Sequence, residues 1–170
     1  MNRILYFFLI ISLPSFSQTF KFDEIQDKLD TNQSQFARGC QRSYVKILDS
    51  THVLRIIYNV DIEYDYCNQI KLDSNSNKVI VYLEIFNLGK ANTSNHCSCI
   101  QIVDLESPIK KVKSTNGKIT ICKSDPTNYY GNIQPKITIL AEDLIFLYQG
   151  KEIIITKEVF WKILDLGTAG

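Results

Sequence analysis

From Ile56 to Leu72 every even position except Asn68 is apolar or aromatic: Ile56, Tyr58, Val60, Ile62, Tyr64, Tyr66, Ile70 and Leu72. The odd positions between Asn59 and Lys71 are mostly polar. A period of two is the pattern of a strand with one buried face. A polar cluster, Asp73-Ser74-Asn75-Ser76-Asn77-Lys78, follows, and then Val79, Val81, Leu83 and Ile85 resume the alternation. The pattern predicts a long hairpin folded about Asn75-Ser76, with Leu72 opposite Val79, Ile70 opposite Val81 and Tyr66 opposite Ile85. A slip of one residue would send every apolar side chain to the wrong face. A first strand of this length is longer than usual, and the lapse in alternation at Cys67-Asn68 is where it is expected to bend or break.

Shorter pieces repeat the theme. Thr19-Phe20-Lys21-Phe22 suggests an edge strand, and Tyr44-Val45-Lys46-Ile47-Leu48 a strand that turns at Asp49-Ser50-Thr51. Ile100 to Val103 reads as a further strand. Asn116-Gly117, between Ile109–Val112 and Ile119–Cys122, predicts a second hairpin with a type I′ turn. Ile137 to Leu140 reads as a strand, and Glu142-Asp143 as a turn. Gln149-Gly150-Lys151, between Leu144–Tyr148 and Glu152–Thr156, predicts a third hairpin. Helix signals are sparse. Asp23 could cap a short helix carrying Phe22, Ile25 and Leu29, and Lys157 to Leu164 fits either a closing helix or one more strand. About eight or nine strands at short spacing predict an all-β, single-domain antiparallel β-sandwich, with a β-barrel as the second choice and at most one or two short helices.

The N-terminus predicts export. Arg3 precedes an almost wholly apolar run from Ile4 to Leu13, and Ser15 and Ser17 supply a small-x-small site. This is the pattern of a signal peptide over residues 1–17, leaving one domain over residues 18–170. The apolar run is about half the length a membrane-spanning helix needs, and no later run is long enough to span. No Cys stands at the cleavage site to carry a lipid. A periplasmic or extracellular location follows, and the Ile-, Asn- and Lys-rich composition is in the style of an exported bacterial protein. Arg3 is the only charge lost with the leader, so the remaining chain is balanced and has no basic block. Nucleic acid is therefore a poor partner.

All five cysteines, Cys40, Cys67, Cys97, Cys99 and Cys122, lie beyond the leader. Export permits disulfides, and an odd number leaves at least one thiol over. Neighbouring strands tend to pack side by side. On that ground Cys122 is expected to bridge to Cys97 or Cys99, and Cys40 to Cys67, with other connectivities still open. His96-Cys97-Ser98-Cys99 has too tight a spacing for a structural zinc site and lacks a second ligand pair. No metal and no cofactor is expected. The only other histidine is His52, so a Cys/His-dependent enzyme, a thiol hydrolase or redox protein, would have to join Cys97 or Cys99 with His52 or His96. Asp61, Glu63 and Asp65 share one strand face and read as a solvated row rather than a carboxylate pair.

The leading reading is a small exported module that works by binding, of adhesion or inhibitor type. Its contact residues are sought in the polar loop from Ser124 to Pro135, at Asp125, Asn128, Tyr129, Tyr130 and Asn132. Tyrosine rings give contact area at small entropy cost and the neighbouring amides give hydrogen bonds. The implied partner is a protein or a carbohydrate.

Overall fold

A computed structural model describes residues 18–21, 37–40, 42–73, 77–92, 106–124, 127–129, 132–134 and 136–164. The described chain is built of strands: β1 (Gln18–Lys21), β2 (Ala37–Cys40), β3 (Ser43–Ile47), β4 (His52–Tyr58), β5 (Tyr66–Lys71), β6 (Val79–Ile85), β7 (Lys110–Lys123), β8 (Thr127–Tyr129), β9 (Asn132–Gln134), β10 (Lys136–Tyr148) and β11 (Lys151–Leu164). No helix occurs among the described residues, and every strand pairing is antiparallel. The expected short helix at Asp23 and the expected strand at Ile100 lie outside the described residues.

A single curled sheet of nine strands follows the path β1-β5-β7-β6-β4-β3-β2, with β10 joined to β7 and β11 to β10; β8 and β9 form a separate pair. The strand β7 holds the fold together. Its first residues pair with β6, Lys113 opposite Tyr82 and Val112 opposite Leu83. Its last residues lie between β5 and β10, with Ile119 opposite both Ile70 and Ala141. The sheet thus bends along β7 and its two wings close over one core, the all-β sandwich-like architecture that the alternation implied. Leu54, Ile56, Val81 and Leu83 line that core from one wing, and Ile119, Ile121, Ile137, Ile139 and Phe160 from the other. Tyr44 and Tyr58 stack at the far side, their rings 5.8 Å apart.

Bending a strand from one wing into the other requires a change of phase. Along β7 Val112 and Ser114 are buried, then Ile119 and Ile121, so the period of two skips a residue between them. Gly117 sits in that gap at φ 134°. On β10 Ala141, Leu144 and Phe146 are all buried, and Asp143 between them has φ 52°. Each buried Leu or Phe contributes about 2 kcal/mol, against roughly 1–2 kcal/mol for a left-handed residue. Keeping Leu144 and Phe146 inside therefore outweighs the cost at Asp143.

Several expectations are corrected here. Asn116-Gly117 is no hairpin turn. It is the bulge of one continuous strand, because a residue without Cβ serves a bulge as well as a turn. Likewise Glu142-Asp143 lies within β10 rather than between two strands. Of the two readings given for Lys157 to Leu164, strand is the one found, as the end of β11. The hairpin about Asn75-Ser76 does not form. β6 pairs with β4, placing Ile56 opposite Val81 and Leu54 opposite Leu83, while β5 pairs with β1 and β7. The strand β4 offers β6 the same apolar faces as β5 does, and it adds an ion pair. Arg55 Nε donates to Glu84 Oε1 at 2.7 Å, and Lys111 lies 3.3 Å from the same oxygen. Glu84 is otherwise buried, and in this pairing its charge is met by Arg55 and Lys111. The long strand breaks at residues 59–65 rather than at Cys67-Asn68. The hairpin at Gln149-Gly150 forms as expected, with φ 50° and 75° at its two turn residues. β1 is the expected edge strand.

The branch strand β11 meets β2 and β3 across the open side of the curl. Gly39 of β2 has no room for a Cβ, which would meet the Tyr44 ring and Ile163 of β11. Lys46 of β3 is buried, and its Nζ reaches Glu158 Oε2 at 2.6 Å and the Val159 carbonyl at 3.0 Å.

Candidate functional site

The described parts of the expected binding loop are strand. Thr127–Tyr129 and Asn132–Gln134 pair as the β8–β9 hairpin, with Asn128 opposite Ile133 and Tyr129 opposite Asn132. These two strands pair with each other and with no other described strand. Asp125 and Tyr130 lie outside the described residues.

The stem beneath this hairpin is clamped. Lys123 stands opposite Ile137 and Cys122 opposite Thr138. The Ser124 amide donates to the Lys136 carbonyl at 3.0 Å, and Ser124 Oγ donates to the same oxygen. Cys122 is further bonded to Cys67 on β5, their Cα atoms 4.0 Å apart. This corrects the expected connectivity, in which Cys122 paired with Cys97 or Cys99 and Cys40 with Cys67. The expectation rested on a strand order in which β7 neighbours the 97–103 segment. In the fold its neighbour is β5, which brings Cys67 directly opposite Cys122. Cys97 and Cys99 lie outside the described residues.

Two aromatic residues that the alternation assigned to the buried face are exposed beside this stem. Tyr64 is 46% and Tyr66 37% exposed. The chain between β4 and β5 turns at Tyr64-Asp65, where Asp65 has φ 61°. The Asp65 amide donates to the Lys123 carbonyl at 2.8 Å, pinning the turn to the end of β7. Lys123 Nζ then lies over the Tyr64 ring, 4.3 Å from its centre, and Tyr66 stands opposite Lys123 in the ladder. Tyr64, Tyr66 and Lys123 thus form one exposed patch at the foot of the hairpin that carries Asn128, Tyr129 and Asn132. Their period-two spacing hid the two tyrosines. The sequence signal for their exposure is the acidic run Asp61, Glu63, Asp65 interleaved with them, which reads as a surface turn. In that run Asp61 pairs with Arg42 across the surface.

The chain matches no family model, no curated protein and no solved structure.

Of the residues named for a Cys/His enzyme, His52 is described and His96 is not. His52 opens β4 beside a turn that Asp49 organises. Asp49 Oδ1 accepts from the Thr51 and His52 amides at 2.7 and 2.8 Å, and Oδ2 lies 2.8 Å from His52 Nδ1. Partial burial alone would raise the Asp49 pKa. The hydrogen bonds from Thr51 and His52 outweigh it and lower the pKa to about 2. With its Nδ1 engaged, His52 here completes a turn. Among the described residues no group of three or more His, Cys, Asp or Glu side chains could hold a metal ion, and no helix is long and apolar enough to cross a membrane.

Proposed function

We propose that the chain is exported and acts as a binding module, with its contact surface formed by the β8–β9 hairpin and the tyrosine patch at its foot. The observation that carries this reading is the clamped stem. A disulfide, a backbone bond from Ser124 and a cation–π contact from Lys123 all converge on the point where the hairpin leaves the sheet. A short polar hairpin needs no such base to close a connection, whereas a contact loop gains from one, because a rigid support lowers the ordering cost of binding. Exposed tyrosines beside amides suit a protein or a carbohydrate partner. The buried Cys67–Cys122 bond supports export, since such bonds persist in oxidising compartments.

The test is an array of glycans and extracellular proteins probed with the wild type and with a Tyr66→Ser/Tyr129→Ser variant that keeps the wild-type melting temperature. A partner bound by the wild type and lost by the variant is expected. A partner held equally by both would move the contact surface elsewhere. Fractionation of cells expressing the full chain tests export, with the protein expected outside the cytoplasm and beginning at Gln18.

A further inference from the structure

A second site lies further back along β7, at the bend of the sheet, and it goes beyond the hairpin reading. Between the end of β5 and the bulges of β7 and β10 the surface opens into a cleft of about 420 Å³. The bulge makes it. The Leu72 amide donates to the Gly117 carbonyl at 2.8 Å, which holds the end of β5 against the bulge. A Cβ on Gly117 would meet Leu144 at 2.8 Å and the Glu142 carbonyl at 3.0 Å. The missing side chain thus lets β10 close on the bulge from the core side, and Gly117 lines the cleft with its backbone.

The polar groups that line the cleft are already oriented. Asn116 Oδ1 accepts from the Gly117 amide at 2.9 Å, so its NH2 end is left to donate. Gln69 Nε2 donates to Thr120 Oγ1 at 3.2 Å, so its carbonyl oxygen is left to accept. Lys118 is paired with Glu142 at 2.8 Å. Lys71 and Asp143, both exposed, form no ion pair among the described residues. Ile145 supplies an apolar strip. The cleft therefore offers one uncommitted cation, one uncommitted carboxylate, an amide donor, an amide acceptor and one aliphatic surface.

We infer that this cleft binds an acidic sugar, a hexuronate or a residue of that kind in a longer chain. A single carboxylate matches Lys71, with Lys118 beside it. Hydroxyl groups match the Asp143 carboxylate and the Gln69 carbonyl oxygen, which accept from them, and the Asn116 amide nitrogen, which donates to them. The C–H face of a pyranose matches Ile145. A phosphate dianion fits less well, because Asp143 lines the same cleft and repels a second negative charge, and Lys118 is already matched by Glu142. The volume falls within the range of small-molecule sites.

The test is a titration of the 15N-labelled protein with sodium glucuronate, followed by amide shifts, with glucose, glutamate and inorganic phosphate as comparisons. Saturating shifts at Asn116, Gly117 and Lys118 are expected, with a Kd of about 1 mM and with the β8–β9 amides unmoved. Lys71→Gln should weaken binding about tenfold, while amides away from the cleft keep their wild-type positions. Asp143→Asn, which leaves the charge of Lys71 in place, should weaken glucuronate less than Lys71→Gln does. An absence of shifts at the cleft amides overturns the inference, as does an unchanged affinity in Lys71→Gln. An equal or stronger response to phosphate or glutamate overturns the sugar assignment. Shifts confined to the hairpin would assign the sugar to the other surface and also overturn it.

Discussion

Cys67 and Cys122 stand directly opposite each other on β5 and β7, and their bond ties the strand that follows the tyrosine turn to the strand that feeds the β8–β9 hairpin. Both are buried. The bond therefore holds the two sequence segments of the proposed contact surface in a fixed relation, although the two cysteines are 55 positions apart in the chain.

Removing that bond should cost stability. Closing a loop of this length contributes about 4 kcal/mol in the chain-entropy model. The Cys67→Ala/Cys122→Ala variant is expected to melt several degrees lower and to be indifferent to reductant. A non-reducing peptide map of the wild type should give the Cys67–Cys122 linked pair, and recovery of Cys122 linked to Cys97 would contradict the fold.

Gly117→Ala should destabilise the bend. The new methyl group meets Leu144 and two carbonyl oxygens of β10, at a φ that side chains rarely adopt. A loss of about 1–3 kcal/mol is expected. Chemical denaturation measures it, and a variant as stable as wild type would mean that the bend does not depend on this position.

What could be read from the sequence was the class of fold and the local turns whose chemistry admits one geometry. Gln149-Gly150 joins two apolar strands by two residues, and it forms the hairpin expected of it. Asn116-Gly117 carries a similar signal, yet there the missing Cβ accommodates a neighbouring strand inside a bulge. Local chemistry does not distinguish the two uses. Strand order was equally hidden, because Ile56, Tyr58 and Val60 show the same alternation as Ile70 and Leu72, so either segment could have faced Val79 to Ile85. In the fold it is β4 that faces them, and there Arg55 meets Glu84, a pair separated by twenty-nine positions that no local pattern reveals. The disulfide and the exposure of Tyr64 and Tyr66 both follow from that order, so they were out of reach as well.

Lys46 and Glu158 should be strongly coupled. Lys46→Met leaves the Glu158 carboxylate, 22% exposed, without its cation, at a cost of about 3 kcal/mol. The double variant Lys46→Met/Glu158→Leu should recover most of that loss, because no unpaired charge remains. A double-mutant cycle of thermal melts tests this, and additive losses would argue against a direct contact.

Acid should weaken the turn before β4. The Asp49 pKa is lowered to about 2 in the folded chain. Its contribution is therefore fully present above the ordinary carboxylate range of about 4, and it is lost as pH falls through about 2. Asp49→Asn should be less stable than wild type at neutral pH, and the gap should close on acidification. A gap independent of pH between about 6 and about 2 would refute the ionic origin.

The contact between Lys46 and Glu158 also sets a timetable. A ribosome delivers β3 long before β11, so the Lys46 ammonium is made while its buried counter-charge is still unsynthesised. The ion pair that buries Lys46 can therefore form only once β11 has been made.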